Sequence, residues 1–139
     1  EYICIDASAR VVAAASERLR RFAHVVVREG DMHALPFEDG HFDLVVLMHA
    51  LTYAAHPAVA VAEAARVLRP GGRLLLSSLA RHEHRAAVEA YGHVNLGFTD
   101  KELRKFAEKA GLEVGSCDVV TREKRPPHFE VISLIGTKP

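Results

Sequence analysis

The chain has 139 residues, of which 49% are hydrophobic, and this length and composition suit one globular domain. Its 18 lysine and arginine residues balance 18 aspartate and glutamate residues, so the charge indicates neither a nucleic-acid-binding protein nor one that binds anionic membranes. The two cysteines have no spacing motif, which argues against a disulfide framework and favours a cytoplasmic protein with reduced thiols. No apolar run approaches the ~20 residues that a membrane span requires.

The first predicted element is a short β-strand that ends in a carboxylate. Residues 2–5 are apolar and β-prone, and the run stops at Asp6. Ser8 can then cap a helix, because apolar side chains recur at helical spacing over residues 12–22. An acid at the carboxyl end of a buried strand, facing the crevice of an open α/β sheet, suits the two hydroxyls of a ribose. Asp6 is therefore either a ligand for a nucleoside-bearing molecule or an ordinary turn residue.

A second candidate segment follows the predicted strand Val25–Glu29, which stops at Gly30. Asp31 can accept a hydrogen bond from an exocyclic amine such as that of adenine. Met32 can pack on a flat ring while its backbone N–H meets a ring nitrogen. The alternative is a loop acid that solvates a turn, while the apolar residues that follow fill the core.

A third candidate segment follows the predicted strand Phe42–Met48. The chain leaves the sheet there beside the expected crevice, with His49, Thr52 and Tyr53 in reach of a ligand or substrate. We expect His49 to lie near the ligand. The alternative is a histidine that is packed or hydrogen-bonded within the protein, and a role in proton transfer is the less favoured interpretation.

The remaining elements predict a sheet that begins parallel and ends with a reversed hairpin. A helix from about Pro57 to Leu68 leads into a strand over residues 73–78, and the histidine-rich residues 79–97 are expected to form a helix or an excursion over the sheet. Thr99 begins a further helix with a capping box. Two strands follow, over residues 112–121 and 129–137, and their short connection can only join antiparallel neighbours. The pattern predicts an α/β fold in a single domain.

Four strings of the sequence carry a resemblance to a known family. They are Ile5-Asp6-Ala7-Ser8, the stretch from Gly30 to Phe37, Phe42-Asp43-Leu44-Val45 and the turn Leu68-Arg69-Pro70-Gly71-Gly72. Their order and spacing resemble class I S-adenosylmethionine-dependent methyltransferases of the small-molecule, type 11 kind. The resemblance implies a Rossmann-like, doubly wound and mostly parallel sheet with an antiparallel C-terminal hairpin.

The resemblance also implies a set of cofactor-binding residues. They are Asp6, Ala7, Asp31, Met32, Met48 and His49. In the family's terms Asp6 would bind the ribose diol of S-adenosylmethionine and Ala7 would lie against the adenine. Asp31 and Met32 would meet the adenine amine and ring edge, respectively. Met48 and His49 would lie near the methionine end of the cofactor. No catalytic residue is identified in this way.

The family's first strand and its glycine-rich loop, which takes the methionine moiety, have no match in this sequence. We expect both to lie upstream in the full protein, so that residues 1–139 form the C-terminal part of a methyltransferase domain. A weaker resemblance, carried by residues 91–99 and an Arg-Pro-Pro tail, is to the methyltransferase half of bacterial regulators that join a winged-helix repressor to a methyltransferase.

The predicted function is methyl transfer from S-adenosylmethionine to a small-molecule acceptor by direct displacement, with the enzyme supplying proximity, orientation and exclusion of water. A homodimer is compatible with the sequence, and contact with nucleic acid or membrane is not expected. No metal site is expected, because His82 and His84 do not share a helix face. Two alternatives stay open: an NAD-dependent oxidoreductase, and a regulatory module that senses the cofactor without catalysis.

Overall fold

A computed structural model describes all 139 residues and shows an α/β protein. The chain divides into two compact units, Glu1–Pro36 and Phe37–Pro139. Each unit has its own sheet, with two strands in the first and four in the second. None of the helices combines the length and the apolar character that crossing a bilayer requires.

The first unit is a strand–helix–strand unit. β1 (Tyr2–Asp6) and β2 (Val25–Glu29) pair in parallel, and α1 (Ala9–Leu19) connects them. The hydroxyl of Ser8 accepts a hydrogen bond from the N–H of Val11 at 3.3 Å, which caps the first turn of the helix. The predicted strands and the predicted helix cap are confirmed.

The second unit is a mixed sheet with helices between its strands. Its elements are β3 (Phe42–Met48), α2 (Pro57–Val67), β4 (Leu68–Leu79), α3 (Arg85–Val88), α4 (Asp100–Lys109), β5 (Glu113–Arg122) and β6 (Glu130–Thr137). The strand order is β3-β4-β6-β5. β4 is parallel to β3 and antiparallel to β6, while β5 is antiparallel to β6. The predicted reversed C-terminal hairpin is therefore confirmed.

β4 begins earlier than the sequence pattern predicts. The strand starts at Leu68, directly after α2, instead of at Arg73. Phe42 pairs with Leu68, and the register then shifts so that Leu44 pairs with Arg73. Gly71, with φ 79°, takes the left-handed conformation inside this irregular stretch. The turn predicted at residues 68–72, before the strand, is thus a bulge within the strand.

The core of the second unit lies on one face of its sheet. Leu74, Leu76 and Ser78 alternate along β4 and are fully buried, as the two-residue period of a strand requires. Leu103 and Ala107 of α4 are buried as well, and α2 contributes mostly alanine and valine. Small residues on α2 let the helices lie close together and close to the sheet.

β3 has a different environment from β4. It pairs with β4 along one edge and with no strand along the other. Leu44, Val46 and Met48 on one of its faces are exposed. Parallel strands of this apolar composition are normally buried on both faces.

Lys138 caps the C-terminal end of α2 from a distant part of the chain. Its Nζ donates hydrogen bonds to the carbonyl oxygens of Ala65, Arg66 and Leu68 at 2.9, 3.2 and 2.7 Å. The last carbonyls of a helix have no partner within the helix, and they carry its partial negative charge. One ammonium group therefore satisfies three acceptors and ties the end of the chain to α2.

We expect Lys138→Met to lower the free energy of unfolding by about 1–3 kcal/mol, because methionine keeps the aliphatic stem and removes the charged donor. Lys124→Met, in the exposed loop between β5 and β6, is the matched control and should change stability very little. Urea titrations followed by circular dichroism measure both variants. Equal effects of the two substitutions would contradict the capping role.

Alanine substitutions at two glycines can test how tightly the segment after β4 is packed. Gly92 and Gly97 have similar left-handed φ values, 71° and 76°. A Cβ at Gly97 would lie 2.3 Å from the carbonyl oxygen of Ala80, whereas one at Gly92 would meet no atom within 4 Å. We expect Gly97→Ala to destabilise the protein by roughly 2 kcal/mol more than Gly92→Ala. Thermal unfolding of the two variants measures the difference, and similar melting temperatures would refute it.

Candidate functional site

The two predicted adenosine-binding acids lie at neighbouring strand ends in the first unit. The register of β1 and β2 pairs Asp6 with Glu29. The N–H of Gly30 donates to the carbonyl of Asp6 at 3.0 Å, and Asp31 is the next residue along the chain. Both acids therefore lie at the carboxyl-end edge of one parallel pair, which is where open α/β sheets bind ligands.

Asp6 is held through one of its two carboxylate oxygens. Its Oδ1 accepts a hydrogen bond from the backbone N–H of Ser8 at 2.8 Å, which fixes the side chain over the turn that begins α1. The side chain is half-buried, and Oδ2 has no hydrogen-bond partner within the protein. A carboxylate oriented in this way has acceptor capacity left for ribose hydroxyls, so it fits the predicted cofactor.

Asp31 is held by the residue two positions further along. Its Oδ1 accepts from the backbone N–H of His33 at 2.8 Å and lies 2.7 Å from His33 Nδ1. These two hydrogen bonds lower the pKa of the Asp31 carboxyl below its ordinary value. The group is therefore an ionised, exposed acceptor at neutral pH, as the binding of an amine requires.

A concave surface adjoins these strand ends. The residues that line it are Ala7, Glu29, Gly30 and Asp31. Ala7 and Asp31 are predicted site residues, whereas Glu29 carries no predicted role and Asp6 is not part of the lining. A Cβ at Gly30 would lie 3.0 Å from Cγ2 of Ile5, so glycine suits this close approach. Met32, the fourth predicted residue of this unit, is half-buried.

Met48 and His49 lie at the carboxyl end of β3 in the second unit. The sulfur of Met48 accepts a hydrogen bond from the hydroxyl of Ser77 at 3.3 Å, and the N–H of His49 donates to the Ser77 carbonyl at 2.9 Å. His49 has φ 52°, which is uncommon for a residue other than glycine. β4 therefore fixes a sharp turn after β3, and the predicted contact of both residues with the cofactor stays a prediction.

The chain makes a long excursion after β4. It begins at Ala80 and ends at Phe98, and these two residues form a β-bridge. The side chain of Asn95 donates to the carbonyls of Leu51 and Ala54 at 2.8 and 2.9 Å. These hydrogen bonds fasten the excursion to the short helical turn that follows β3. The sequence predicts a helix or an excursion for residues 79–97.

Four buried side-chain polar atoms have no hydrogen-bond partner. Two belong to the excursion, His82 Nε2 and His93 Nδ1, while Thr52 Oγ1 belongs to the turn after β3 and Ser78 Oγ to the end of β4. A buried polar group without a partner costs roughly 1–3 kcal/mol, and native proteins contain few of them. Their occurrence in the excursion and in the elements that adjoin it marks a second candidate site, which the sequence pattern does not reveal because packing alone buries these atoms.

Aromatic rings surround the two histidines. The ring of His93 makes edge contacts with Tyr53, at a centroid distance of 5.5 Å, and lies 6.3 Å from Tyr91. The ring of His82 lies 4.7 Å from that of Phe129, also edge to face. His82 is half-buried because its ring packs against Phe129, whereas Arg81 and Glu83 beside it are exposed.

Burial also changes the protonation of His82. Loss of solvent on burial lowers the pKa of His82 below its ordinary value of 6.5, and electrostatic repulsion from the neighbouring His84, His93 and Arg81 acts in the same direction. The imidazole is therefore neutral at pH 7. The chain contains no group of three or more side chains placed to hold a metal ion.

Comparison with known proteins identifies the family. A family model described as a methyltransferase domain matches residues 1–76, which is more than half of the chain. The chain belongs to this methyltransferase family. The predicted class, a class I S-adenosylmethionine-dependent methyltransferase, is thereby confirmed together with its cofactor. This result counts against the oxidoreductase alternative.

Two curated relatives each match about half of this chain. An uncharacterised 37.1 kDa protein in transposon Tn4556 of Streptomyces fradiae is 47% identical over 74 residues, 53% of this chain and 21% of that protein. The ubiquinone/menaquinone biosynthesis C-methyltransferase UbiE of Pseudomonas putida is 34% identical over 70 residues, 50% of this chain and 27% of that protein. The matched region is thus about a quarter of the length of these relatives.

Solved structures confirm the Rossmann-like fold of the methyltransferase. A methyltransferase from Methanosarcina mazei has a TM-score of 0.81 at 19% identity, covering 98% of this chain and 81% of that chain. One from Thermotoga maritima has a TM-score of 0.79 at 25% identity, covering 99% and 73%. The [4+2]-cyclase SpnF has a TM-score of 0.82 at 21% identity, covering 99% and 65%.

The lowered pKa of His82 predicts a dependence of stability on pH. The unfolded chain binds a proton at His82 more readily than the folded chain does. The contribution of His82 to the free energy of unfolding is therefore fully present above pH 6.5 and is lost as the pH falls below that value. The charges that act on His82 are those of Arg81, His84 and His93. We expect His82→Phe to reduce the loss of stability between about pH 7.5 and about pH 5.5. Thermal unfolding at several pH values measures this, and parallel curves for the variant and the wild type would contradict it.

Proposed function

We propose that this protein transfers a methyl group from S-adenosylmethionine to a small-molecule acceptor by direct displacement. The observation that carries the proposal is the placement of Asp6 and Asp31 at adjoining carboxyl ends of parallel strands in a chain of this family. When bound, the cofactor supplies an electrophilic methyl group on a sulfonium. The name of one relative, UbiE, refers to the biosynthesis of ubiquinone and menaquinone, and the balanced charge of this chain supports an acceptor other than a nucleic acid.

The first unit would hold the adenosine half of the cofactor. Asp6 Oδ2 would accept hydrogen bonds from the ribose hydroxyls, since Oδ1 is engaged by Ser8. Asp31 would accept from the adenine amine, and Ala7 and Met32 would pack along the ring. The carboxylates orient the cofactor and take no part in bond making, because displacement at a methyl group depends mainly on alignment and exclusion of water.

Met48 and His49 are the residues that we assign to the methionine end of the cofactor. Met48 and His49 follow the end of β3, where Ser77 fixes both of them. A turn that is held by hydrogen bonds on a rigid strand presents its side chains with little loss of entropy on binding. This order in the turn supports the assignment of Met48 and His49 to the methionine end of the cofactor.

We further propose that residues 1–139 form the C-terminal part of one methyltransferase domain. The support is β3, which has an unpaired edge and exposes Leu44, Val46 and Met48 on one face. β1 also pairs with one strand only. Strand edges of this kind are normally paired or covered in native proteins. A further strand and the glycine-rich loop of the family would complete the cofactor site.

Replacement of Asp6 tests the proposed function. We expect Asp6→Ala to weaken the binding of S-adenosylmethionine to the full-length protein by roughly 1–3 kcal/mol, because hydrogen bonds to a charged group are lost. Asp6→Asn should show a smaller loss, because the amide oxygen still accepts from Ser8. Isothermal titration calorimetry measures the dissociation constants.

Asp118→Ala, at an exposed position on β5, is the control and should bind the cofactor as the wild type does. Formation of S-adenosylhomocysteine with candidate acceptors separates an enzyme from a module that only senses the cofactor. An unchanged dissociation constant for Asp6→Ala would refute the ribose role. Binding of NAD in preference to S-adenosylmethionine would refute the proposed chemistry.

A further inference from the structure

Asp31, to which we assign the adenine amine, is held by a neighbour that has no assigned role. This neighbour is His33, and both of its donors meet the same carboxylate oxygen, Oδ1. The backbone N–H of His33 donates at 2.8 Å, and its ring Nδ1 lies at 2.7 Å. Oδ2 has no hydrogen-bond partner within the protein. Asp31 therefore presents one carboxylate oxygen to a ligand in a fixed orientation.

The chemistry of this pair determines which atom carries the hydrogen. The hydrogen bonds lower the pKa of the Asp31 carboxyl, so the group is ionised at neutral pH and can only accept. Nδ1 of His33 must then carry a hydrogen in either charge state of the ring. Hydrogen bonds to an ionised acceptor are roughly twice as strong as those between neutral groups. The ring therefore adds a strong second donor to the one that the backbone supplies.

The two side chains differ in exposure. The side chain of His33 is 20% exposed, whereas that of Asp31 is 63% exposed. An exposed carboxylate without partners turns readily about its last bond, whereas a half-buried ring has few alternative positions. The backbone of the loop is fixed as well, since the N–H of Ala34 donates to the Asp31 carbonyl at 3.1 Å and the two residues form a β-bridge. His33 is thus the fixed partner that orients Asp31.

Asp6 gives a comparison within the same unit. Its Oδ1 accepts a hydrogen bond from one backbone N–H, that of Ser8, and from no side chain. The hydroxyls of a ribose can rotate their hydrogens toward a carboxylate, so one fixed oxygen on Asp6 suffices. An exocyclic amine lies in the plane of its base and directs its hydrogens along fixed lines. The second donor is thus found on the carboxylate whose assigned ligand has the stricter geometry.

We propose that His33 is a positioning residue that sets the preference of the cofactor site for adenine. By holding Oδ1, it leaves Oδ2 of Asp31 directed at the place where an exocyclic amine donates. A base with a carbonyl oxygen at that place, such as hypoxanthine, would set one acceptor against another and bind poorly. This inference rests on the proposed function and names the residue that makes the adenine half of the site selective.

Binding of two related nucleosides to the full-length protein measures this preference. S-Adenosylhomocysteine carries the amine, whereas S-inosylhomocysteine has a carbonyl oxygen in its place, so the ratio of their dissociation constants isolates the contact. We expect the wild type to prefer the adenosyl compound at least about tenfold, because the inosyl compound loses a hydrogen bond to a charged group. His33→Leu should reduce this preference by about threefold or more, because Asp31 loses its side-chain donor.

A second variant separates positioning from packing. The amide of asparagine can place an N–H where Nδ1–H of histidine lies, so His33→Asn should restore most of the preference. A purely structural role would give the reverse order, since leucine keeps apolar volume at this half-buried position and asparagine does not. His24→Leu replaces a histidine directly before β2, at the other end of the strand pair, and should keep the wild-type preference.

A further measurement needs no ligand. Carbon-13 NMR of the Asp31 carboxyl group, followed over a pH titration, gives its pKa in the full-length protein. We expect His33→Leu to raise this pKa, because one of the two hydrogen bonds that stabilise the ionised form is lost. His33→Asn should keep the pKa near that of the wild type.

A double-mutant cycle completes the test. Asp31→Ala should abolish the preference, and adding His33→Leu to it should change nothing further, because the ring acts through the carboxylate. An unchanged preference in His33→Leu, a greater loss in His33→Asn than in His33→Leu, or an unchanged pKa of Asp31 would each overturn the inference. All three can occur while S-adenosylmethionine binds and Asp6→Ala weakens that binding, so they are distinct from failure of the proposed function.

Discussion

The pairing of β4 along both of its edges is the interaction on which the larger unit depends. The strand is parallel to β3 on one side and antiparallel to β6 on the other, so residues 73–77 are paired along both edges, and Leu74 and Leu76 belong to the buried core. The same register places Ser77 opposite Met48, which fixes the turn after β3. One strand therefore determines the position of the core, of the turn and of the excursion that leaves from its carboxyl end.

In and around the excursion after β4, contacts that stabilise the fold lie close to buried polar atoms that destabilise it. Its ends are fastened by the Ala80–Phe98 bridge and by the ion pair between Arg81 and Glu102, while Asn95 fastens its middle. Beneath it, Thr52 and Ser78 are buried with hydroxyls that have no partner. Natural proteins rarely keep such atoms without use, and departures from local rules concentrate at functional sites. The fastening keeps the region folded despite this cost.

The parts of the structure that could be predicted from the sequence depend on neighbours along the chain. The capping box of Thr99 and Glu102, the cap at Ser8 and the reversed hairpin all follow from signals a few residues apart, and all are confirmed. The position of Asp6 at the end of a strand is also a local signal, because the apolar run before it stops there. The bulge in β4 and the burial of the Nδ1 atom of His93 could not be predicted, because each results from contact with segments that are distant in sequence.

The fold by itself does not determine the chemistry of this chain, since the cyclase SpnF shares the architecture with the methyltransferases it resembles. What differs within one architecture is the set of irregular segments at the carboxyl ends of the strands. Cofactor contacts lie at the strand ends and follow motifs, so they can be recognised from sequence. Residues 80–98 form an excursion without periodicity, so the contacts that it makes cannot be recognised from the sequence in the same way. In this chain the excursion buries imidazole nitrogens among aromatic rings, and these surroundings result from packing between distant segments and not from a motif.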